Sequence, residues 1–331
     1  MKKAALLSIV VVVMHLAVGV IAHAQQSGKI FRIGYLDPST ASGSAVILDA
    51  FRQELSRLGW IEGKNLVFEY RLAEQKPERL SELAAELVRL KVDLIVTSGG
   101  PSVLAAKGAT STVPIVMANV GDPLALGLVA SLGRPGGNIT GFASLSSDLN
   151  TKRLEVLKDA VPKLDRVGLL RQSASNTGEE LQLKELRVAA PALKVKLEEI
   201  KTQFDAAQGL ESAFKTAKQK QVGAIMTTST RSFFAERKRI VELATKHRLP
   251  AIYTWKECVD EGGLMTYGVD FDDQYRKAAH YVDKILKGTK PADLPVQQPT
   301  KFEFIINLKA AKEIGLTIPV RVLERANQVI R

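Results

Sequence analysis

The chain has 331 residues, 46% of them hydrophobic, a formal charge of +11 and a single cysteine, Cys258. One thiol excludes an internal disulfide, so the fold must rest on core burial, for which about 300 residues suffice as one large domain or as two of about 150. The basic residues, among them Arg52, Arg57, Lys184, Arg187, Arg237 and Lys238, are spread along helical stretches and mixed with Asp and Glu, which fits a solvated surface and not a nucleic-acid tract.

Residues 1–24 carry Lys2 and Lys3, an apolar run over 4–22 interrupted by Ser8, His15 and Gly19, and then Ala22-His23-Ala24. That pattern predicts a signal peptide cleaved after Ala24; a membrane anchor is the competing reading of the same run. Removal of the leader takes the charge from +11 to +9, and no cysteine follows it to carry a lipid.

Residues 31–36 form a compact apolar run that enters Asp37-Pro38-Ser39-Thr40, as a buried strand ending in a polar loop does. Val46, Ile47, Ala50, Phe51, Leu55 and Leu58 then share one helical face, stopped by Gly59. A strand over 65–70, a helix over 77–90 and a strand over 92–97 follow, and Pro101 suits the first position of the next helix. Residues 115–118 read as a strand, 124–132 as a short helix, 134–137 as a turn and 139–142 as a last strand. This alternation predicts a mostly parallel sheet with helices on both faces.

A linking helix over 153–161 precedes a second round, with strands over 165–170, 194–200, 224–228, 250–253 and 264–267. Its helices are predicted over 179–190, 206–219, 232–247 and 272–287. A proline-spaced connector over 291–299, a strand over 301–306 and a helix over 308–314 complete the chain. The second round repeats the first roughly 130 residues later. Arg32-Ile33-Gly34-Tyr35-Leu36 returns as Arg166-Val167-Gly168-Leu169-Leu170, residues 92–100 (VDLIVTSGG) return as 222–230 (VGAIMTTST), and 136–140 (GGNIT) return as 262–266 (GGLMT). The predicted fold class is therefore α/β, two similar Rossmann-like lobes with parallel sheets joined by a hinge and a ligand cleft between them. The lobes span 25–145 and 146–290, and a segment over 291–331 is predicted to return across the hinge.

Ser98-Gly99-Gly100 and Thr228-Ser229-Thr230 each join a strand end to a helix. Exposed amides and the helix dipole suit such loops to a ligand carboxylate, the alternative being a tight turn and a helix cap. Asp122 and Asp270 stand just beyond strand ends, either as partners for a ligand ammonium or as Asx turns and caps. Ser39, Asn119, Thr140 and Asn176 are polar residues at or after other strand ends. Tyr35, Phe142, Tyr253, Trp255 and Tyr267 add aromatic surface there, with Phe142 and Tyr253 equally suited to the core. The sequence has no Gly-x-x-x-x-Gly-Lys-Ser/Thr, no Gly-x-Gly-x-x-Gly after the first strand and no His-Glu-x-x-His. His247 and His280 lack ligand spacing and Cys258 has no nearby histidine, so no metal, cofactor or catalytic nucleophile is predicted.

Residues 51–70 (FRQELSRLGWIEGKNLVFEY), 77–99 (PERLSELAAELVRLKVDLIVTSG), 113–141 (VPIVMANVGDPLALGLVASLGRPGGNITG) and 281–317 (YVDKILKGTKPADLPVQQPTKFEFIINLKAAKEIGLT) resemble the tryptophan/tyrosine-type ABC transporter substrate-binding proteins. The resemblance runs over nearly all of the chain after the leader. It implies a type I periplasmic binding fold: a monomer in the periplasm whose lobes close on a small-molecule solute and present it to an ABC permease in the inner membrane. By similarity Ser98, Gly99, Asn119, Asp122, Thr140, Asn176, Thr228, Ser229 and Asp270 would line the cleft. The solute would be a small carboxylate, an aromatic or other apolar amino acid foremost. A ligand-sensing receptor subunit coupled to a membrane signalling protein is the alternative function of the same fold. An exported enzyme carries less weight because no nucleophile and base can be assembled, and a cytoplasmic repressor needs a DNA-binding helix pair where the leader stands.

Overall fold

The computed structural model describes residues 29–174, 176–204 and 208–331; the predicted leader, its cleavage site and the first residues of the helix predicted from 206 lie outside them. In the first lobe, β1 (Phe31–Asp37), β2 (Leu66–Leu72), β3 (Leu94–Ser98), β4 (Ile115–Val120) and β5 (Ile139–Ala143) form one sheet. Their order is β2-β1-β3-β4-β5, and every neighbouring pair is parallel. In the second, β6 (Arg166–Gln172), β7 (Lys196–Thr202), β8 (Ala224–Thr227), β9 (Ala251–Tyr253) and β10 (Met265–Val269) repeat that order as β7-β6-β8-β9-β10, again parallel.

The repeat seen in the sequence extends to the register. Gly34 lies opposite Glu69 and Ile95, and Gly168 lies opposite Glu198 and Ile225. A Cβ on Gly34 would stand 3.0 Å from Leu87 Cδ1, and one on Gly168 would stand 3.0 Å from Ile225 Cδ1, so at this central strand position of each lobe a helix or strand side chain packs closely on the glycine.

The helices explain how the lobes are joined. In the first lobe lie α1 (Ala41–Arg57), α2 (Leu80–Arg89) and α3 (Gly100–Ala109); after β5 comes α4 (Ser146–Ala160). The second round supplies α5 (Thr177–Ala192), α6 (Gly209–Gln219), α7 (Arg231–Ala235), α8 (Arg237–Lys246), α9 (Glu257–Asp260) and α10 (Phe271–Leu286). In each lobe the helix that follows the fifth strand crosses to the other lobe. Helix α4 packs on α5, β9 and β10, whereas α10 packs on α1, β4 and β5 of the first lobe. The apolar stripe of α10, including Phe271, Tyr275, Ala278, Val282 and Ile285, is buried there.

The chain then runs along the edge of the first sheet. Val296 N donates to Leu132 O (2.7 Å), Gln297 N to Gly141 O (2.9 Å) and Thr140 Oγ1 to Leu294 O (2.6 Å). A third crossing leads to β11 (Phe302–Asn307), which joins the second sheet antiparallel to β10, followed by α11 (Leu308–Glu313), α12 (Val320–Leu323) and β12 (Gln328–Ile330). Thus α10, which falls in the residue range read as the second lobe, is a first-lobe helix by its contacts, and the tail ends on the second lobe with Ala310 and Ala311 in its core.

Several local elements differ from the sequence reading: α9, α12 and β12 are not among the predicted elements, and two predicted helices take another form. Residues 124–132 form successive turns in place of a helix, with Gly127 at φ +63° breaking the helical run and Leu128 N bonded to Pro123 O (2.9 Å). The helix read over 232–247 is split at Glu236 into α7 and α8, with adjacent Phe233 and Phe234 both fully buried. A backbone constraint near the first crossing yields a direct test. Gly141 has φ +137°, and a Cβ there would lie 2.1 Å from Met117 O, whereas one on Gly133 meets nothing within 4 Å. Gly141→Ala is expected to cost on the order of 3 kcal/mol, read as a lower urea midpoint, and Gly133→Ala to leave that midpoint nearly unchanged.

Candidate ligand-binding site

Because the strands of both lobes run parallel, their C-terminal ends face one gap, where a cavity of about 270 Å3 lies. The first lobe contributes Pro38 after β1, Gly99-Gly100-Pro101 after β3, and Asn119, Gly121 and Asp122 at or after the end of β4. The second contributes Gln172 and Asn176 around the end of β6, residues 229–232 after β8 and Trp255 after β9. Ser146 and Ser147 at the start of α4 and Phe271 at the start of α10 come in from the crossings.

Two helices begin on this wall without a side-chain cap. Helix α3 follows Gly99 at φ +80°, and α4 follows Leu145 at φ +53°; neither residue caps with its side chain. Uncapped first-turn amides and the positive end of the helix dipole suit an anionic oxygen. Helix α5, by contrast, is capped by Asn176, whose side chain accepts from Glu179 N at 3.1 Å. Trp255, Phe271, Leu126 and Leu181 supply apolar wall, with the Trp255 and Phe271 rings edge to face at 6.1 Å.

Residues absent from the sequence reading hold this wall in place. Gln182 Oε1 accepts from Ser229 N (2.7 Å) and from Asn150 Nδ2 (3.0 Å), while its Nε2 donates to Ser229 O (3.2 Å). Asn150 Oδ1 in turn accepts from buried Arg153 (2.5 Å), whose Nε donates to Tyr267 O (2.6 Å); burial pulls the Arg153 pKa down to about 9. Asn119 donates its side-chain amide to Gln274 of α10, and Gln274 donates to Ala143 O (2.9 Å). The available sequence signal was polar residues at inward positions of otherwise amphipathic helices.

Arg231, on the second lobe, also lines the cavity and pairs with Asp37 of the first. Nη2 and Nε lie 3.1 and 3.2 Å from Asp37 Oδ2, and Nη2 donates to Ser44 Oγ at 3.3 Å. Asp37 is fully buried and accepts from Tyr35 OH (3.1 Å) and Ser39 N (2.8 Å). Burial alone would lower the Arg231 pKa, but the charge of Asp37, reinforced by Tyr275 and Tyr35, holds it above the usual arginine value.

Of the residues singled out in the sequence, Gly99, Gly100, Asn119, Asp122, Asn176, Ser229, Thr230 and Trp255 stand on the cavity wall; Tyr35, Ser39, Ser98, Thr140, Phe142, Thr228, Tyr253, Tyr267 and Asp270 do not. Tyr35 and Ser39 lie beneath it as partners of Asp37. Ser98 Oγ donates to Asn119 O (3.4 Å), Thr140 is turned to Leu294, and Thr228 Oγ1 donates to Glu179 Oε1 (2.6 Å). Tyr253 is in the core, and burial raises its pKa well above the ordinary value. Asp270 caps α10 through Asp273 N (3.0 Å) and pairs with Lys256 (3.5 Å). Asp122 caps too, its Oδ1 accepting from Leu124 N (3.0 Å) and Ala125 N (2.9 Å), yet it is exposed at the mouth. The two aspartates are not topological counterparts, since one follows the fourth strand of its sheet and the other the fifth. Among the described residues no group of three His, Cys, Asp or Glu side chains could hold a metal ion.

Two parallel-sheet lobes of equal strand order around a shared cavity define a type I periplasmic binding fold. The chain belongs to the ABC transporter substrate binding protein family, whose sequence profile matches residues 41–330. It is similar to a tyrosine-binding protein of Clostridioides difficile, 27% identical over 269 residues that cover 80% of this chain and 75% of that one. Among solved structures it is similar to a conserved domain protein from Vibrio cholerae, 27% identical over 91% of this chain and 100% of that one, TM-score 0.81. It is also similar to the ABC domain in complex with L-Trp from Streptococcus pneumonia, 25% identical over 90% of this chain and 100% of that one, TM-score 0.77. The chain is thus an ABC transporter substrate-binding protein, and proteins of that class bind solutes and are not enzymes.

One buried carboxyl beside the wall gives a pH-dependent prediction. Glu257, two residues from Trp255, is buried, and apart from its own amide neither oxygen has a hydrogen-bond partner among the described residues. Burial raises its pKa to about 7; Asp272 adds to the rise while Lys256 and Arg237 oppose it. The folded pKa exceeds the unfolded one, so the contribution of Glu257 to stability is complete below about pH 4.5 and is lost as pH rises to about 7. Glu257→Gln is expected to match the wild type near pH 4.5 and to exceed it by about 3 kcal/mol near pH 8, measured by urea unfolding at both values.

Proposed function

We propose that this protein binds an amino acid with an aromatic or other apolar side chain in the interlobe cavity, delivers it as a monomer from the periplasm to an ABC permease, and catalyses nothing. The observation that carries the reading is the composition of the wall, which combines two uncapped helix starts and Arg231 with the apolar side chains of Trp255, Phe271, Leu126 and Leu181. The amides at the starts of α3 and α4 take the carboxylate and the apolar group takes the side chain. We assign the ammonium to Asp122, which is on the wall and exposed, in preference to Asp270, which is not on it. The relatives named for tyrosine and solved with L-Trp support an aromatic solute. Export to the periplasm is supported by the family and by the leader pattern of residues 1–24.

Calorimetric titration against the amino acids, with indole-3-propionate as the deaminated analogue of tryptophan, tests this reading. At least one aromatic or apolar amino acid is expected to bind and to raise the melting temperature. Asp122→Asn should weaken amino-acid binding roughly 10- to 100-fold, the loss of one hydrogen bond to a charged group, and leave indole-3-propionate binding as it was. Asp270→Asn should change neither. Absence of binding by every amino acid would overturn the assignment.

A further inference from the structure

We propose that Asp37 and Arg231 form an interlobe latch that sets how far the solute-free protein stays closed. The pair joins residues 194 positions apart in the sequence, one at the end of β1 in the first lobe and one in α7 of the second. Each half is prepared within its own lobe. Tyr35 OH and the Ser39 amide fix the Asp37 carboxylate, and the Arg231 guanidinium lies over the Phe234 ring, 4.9 Å from its centroid. The backbones meet at the same place, since a Cβ on Gly43 of α1 would stand 2.7 Å from Ala235 Cβ of α7. At the rim, Gln75 Nε2 of the first lobe donates to Glu236 Oε1 of the second at 2.8 Å.

Parting of the lobes widens a cavity walled by both, and it breaks these contacts and returns both charges to water. On closure each charge loses its water and is compensated by the other, Asp37 being fully buried and Arg231 nine-tenths so. Removing one partner therefore strands a buried charge and penalises the closed form more than removing both does. That asymmetry separates a latch from two independent surface contacts. The inference rests on the solute-binding reading only in that something must enter the cavity, and its test uses no solute.

Small-angle X-ray scattering on the solute-free protein compares the wild type with Asp37→Asn, Arg231→Gln and the double variant. Each single variant is expected to show a larger radius of gyration, and the double variant to return toward the wild-type value. Unchanged radii in the single variants, or a double variant as expanded as they are, would overturn the latch and leave solute binding to be judged by calorimetry. Should Asp37→Asn lose its near-ultraviolet circular dichroism, Arg231→Gln carries the test alone: expansion supports the latch and an unchanged radius refutes it.

Discussion

The parallel direction of the strands in both lobes is the constraint on which the rest depends. A parallel sheet places all its strand ends of one kind on one edge, and the loops leaving those ends are the segments free to vary without disturbing the sheet. Here two such edges face each other, so Gly99, Asn119, Gln172, Ser229 and Trp255, from five different strand ends, share one cavity. The exchange of the helices after the fifth strands turns this juxtaposition into a joint. Tyr275, Ala278 and Val282 of α10 are fully buried, largely against the first lobe, and fully burying side chains of Val or Leu size contributes about 1.5–3 kcal/mol each. Helix α10 is therefore part of that lobe, and relative movement must be taken up by the short segments flanking the crossings.

Much of the fold was legible in the sequence because the two halves meet the same local demands. Gly34 and Gly168 repeat at positions where a neighbouring side chain packs closely on the strand, and the apolar runs that end in small-residue loops mark β3 and β8. The lobe to which α10 belongs was not legible: an amphipathic stripe states that a face is buried, not which sheet buries it. The turns over 124–132 show a similar limit, since the leucines there give a helical spacing that Gly127 at positive φ interrupts.

The site was legible at its strand-end loops and not in its charges. Asp122 and Asp270 read alike, each a cap beyond a strand, and only tertiary structure exposes the first toward the cavity and engages the second with Lys256. Asp37 and Arg231 carry no local signal of their pairing because 194 residues separate them. Gln182 and Asn150 read as ordinary helix residues, although they hold the Ser229 loop through both its amide and its carbonyl. Helix spacing places such polar residues on an inward face, but it does not say which loop they hold.

The central claim is that an aromatic or apolar solute lodges between the lobes against Trp255. The chain has two tryptophans, and Trp60 lies away from the cavity, its Nε1 bonded to Asp283 Oδ1 at 2.8 Å. In a Trp60→Phe variant, Trp255 is the one indole left to report. Its emission, excited where tyrosine does not absorb, should change saturably as L-tyrosine or another bound amino acid is added, with the same midpoint as the heat of binding. Emission that stays constant while the heat saturates would place the solute elsewhere and contradict the account.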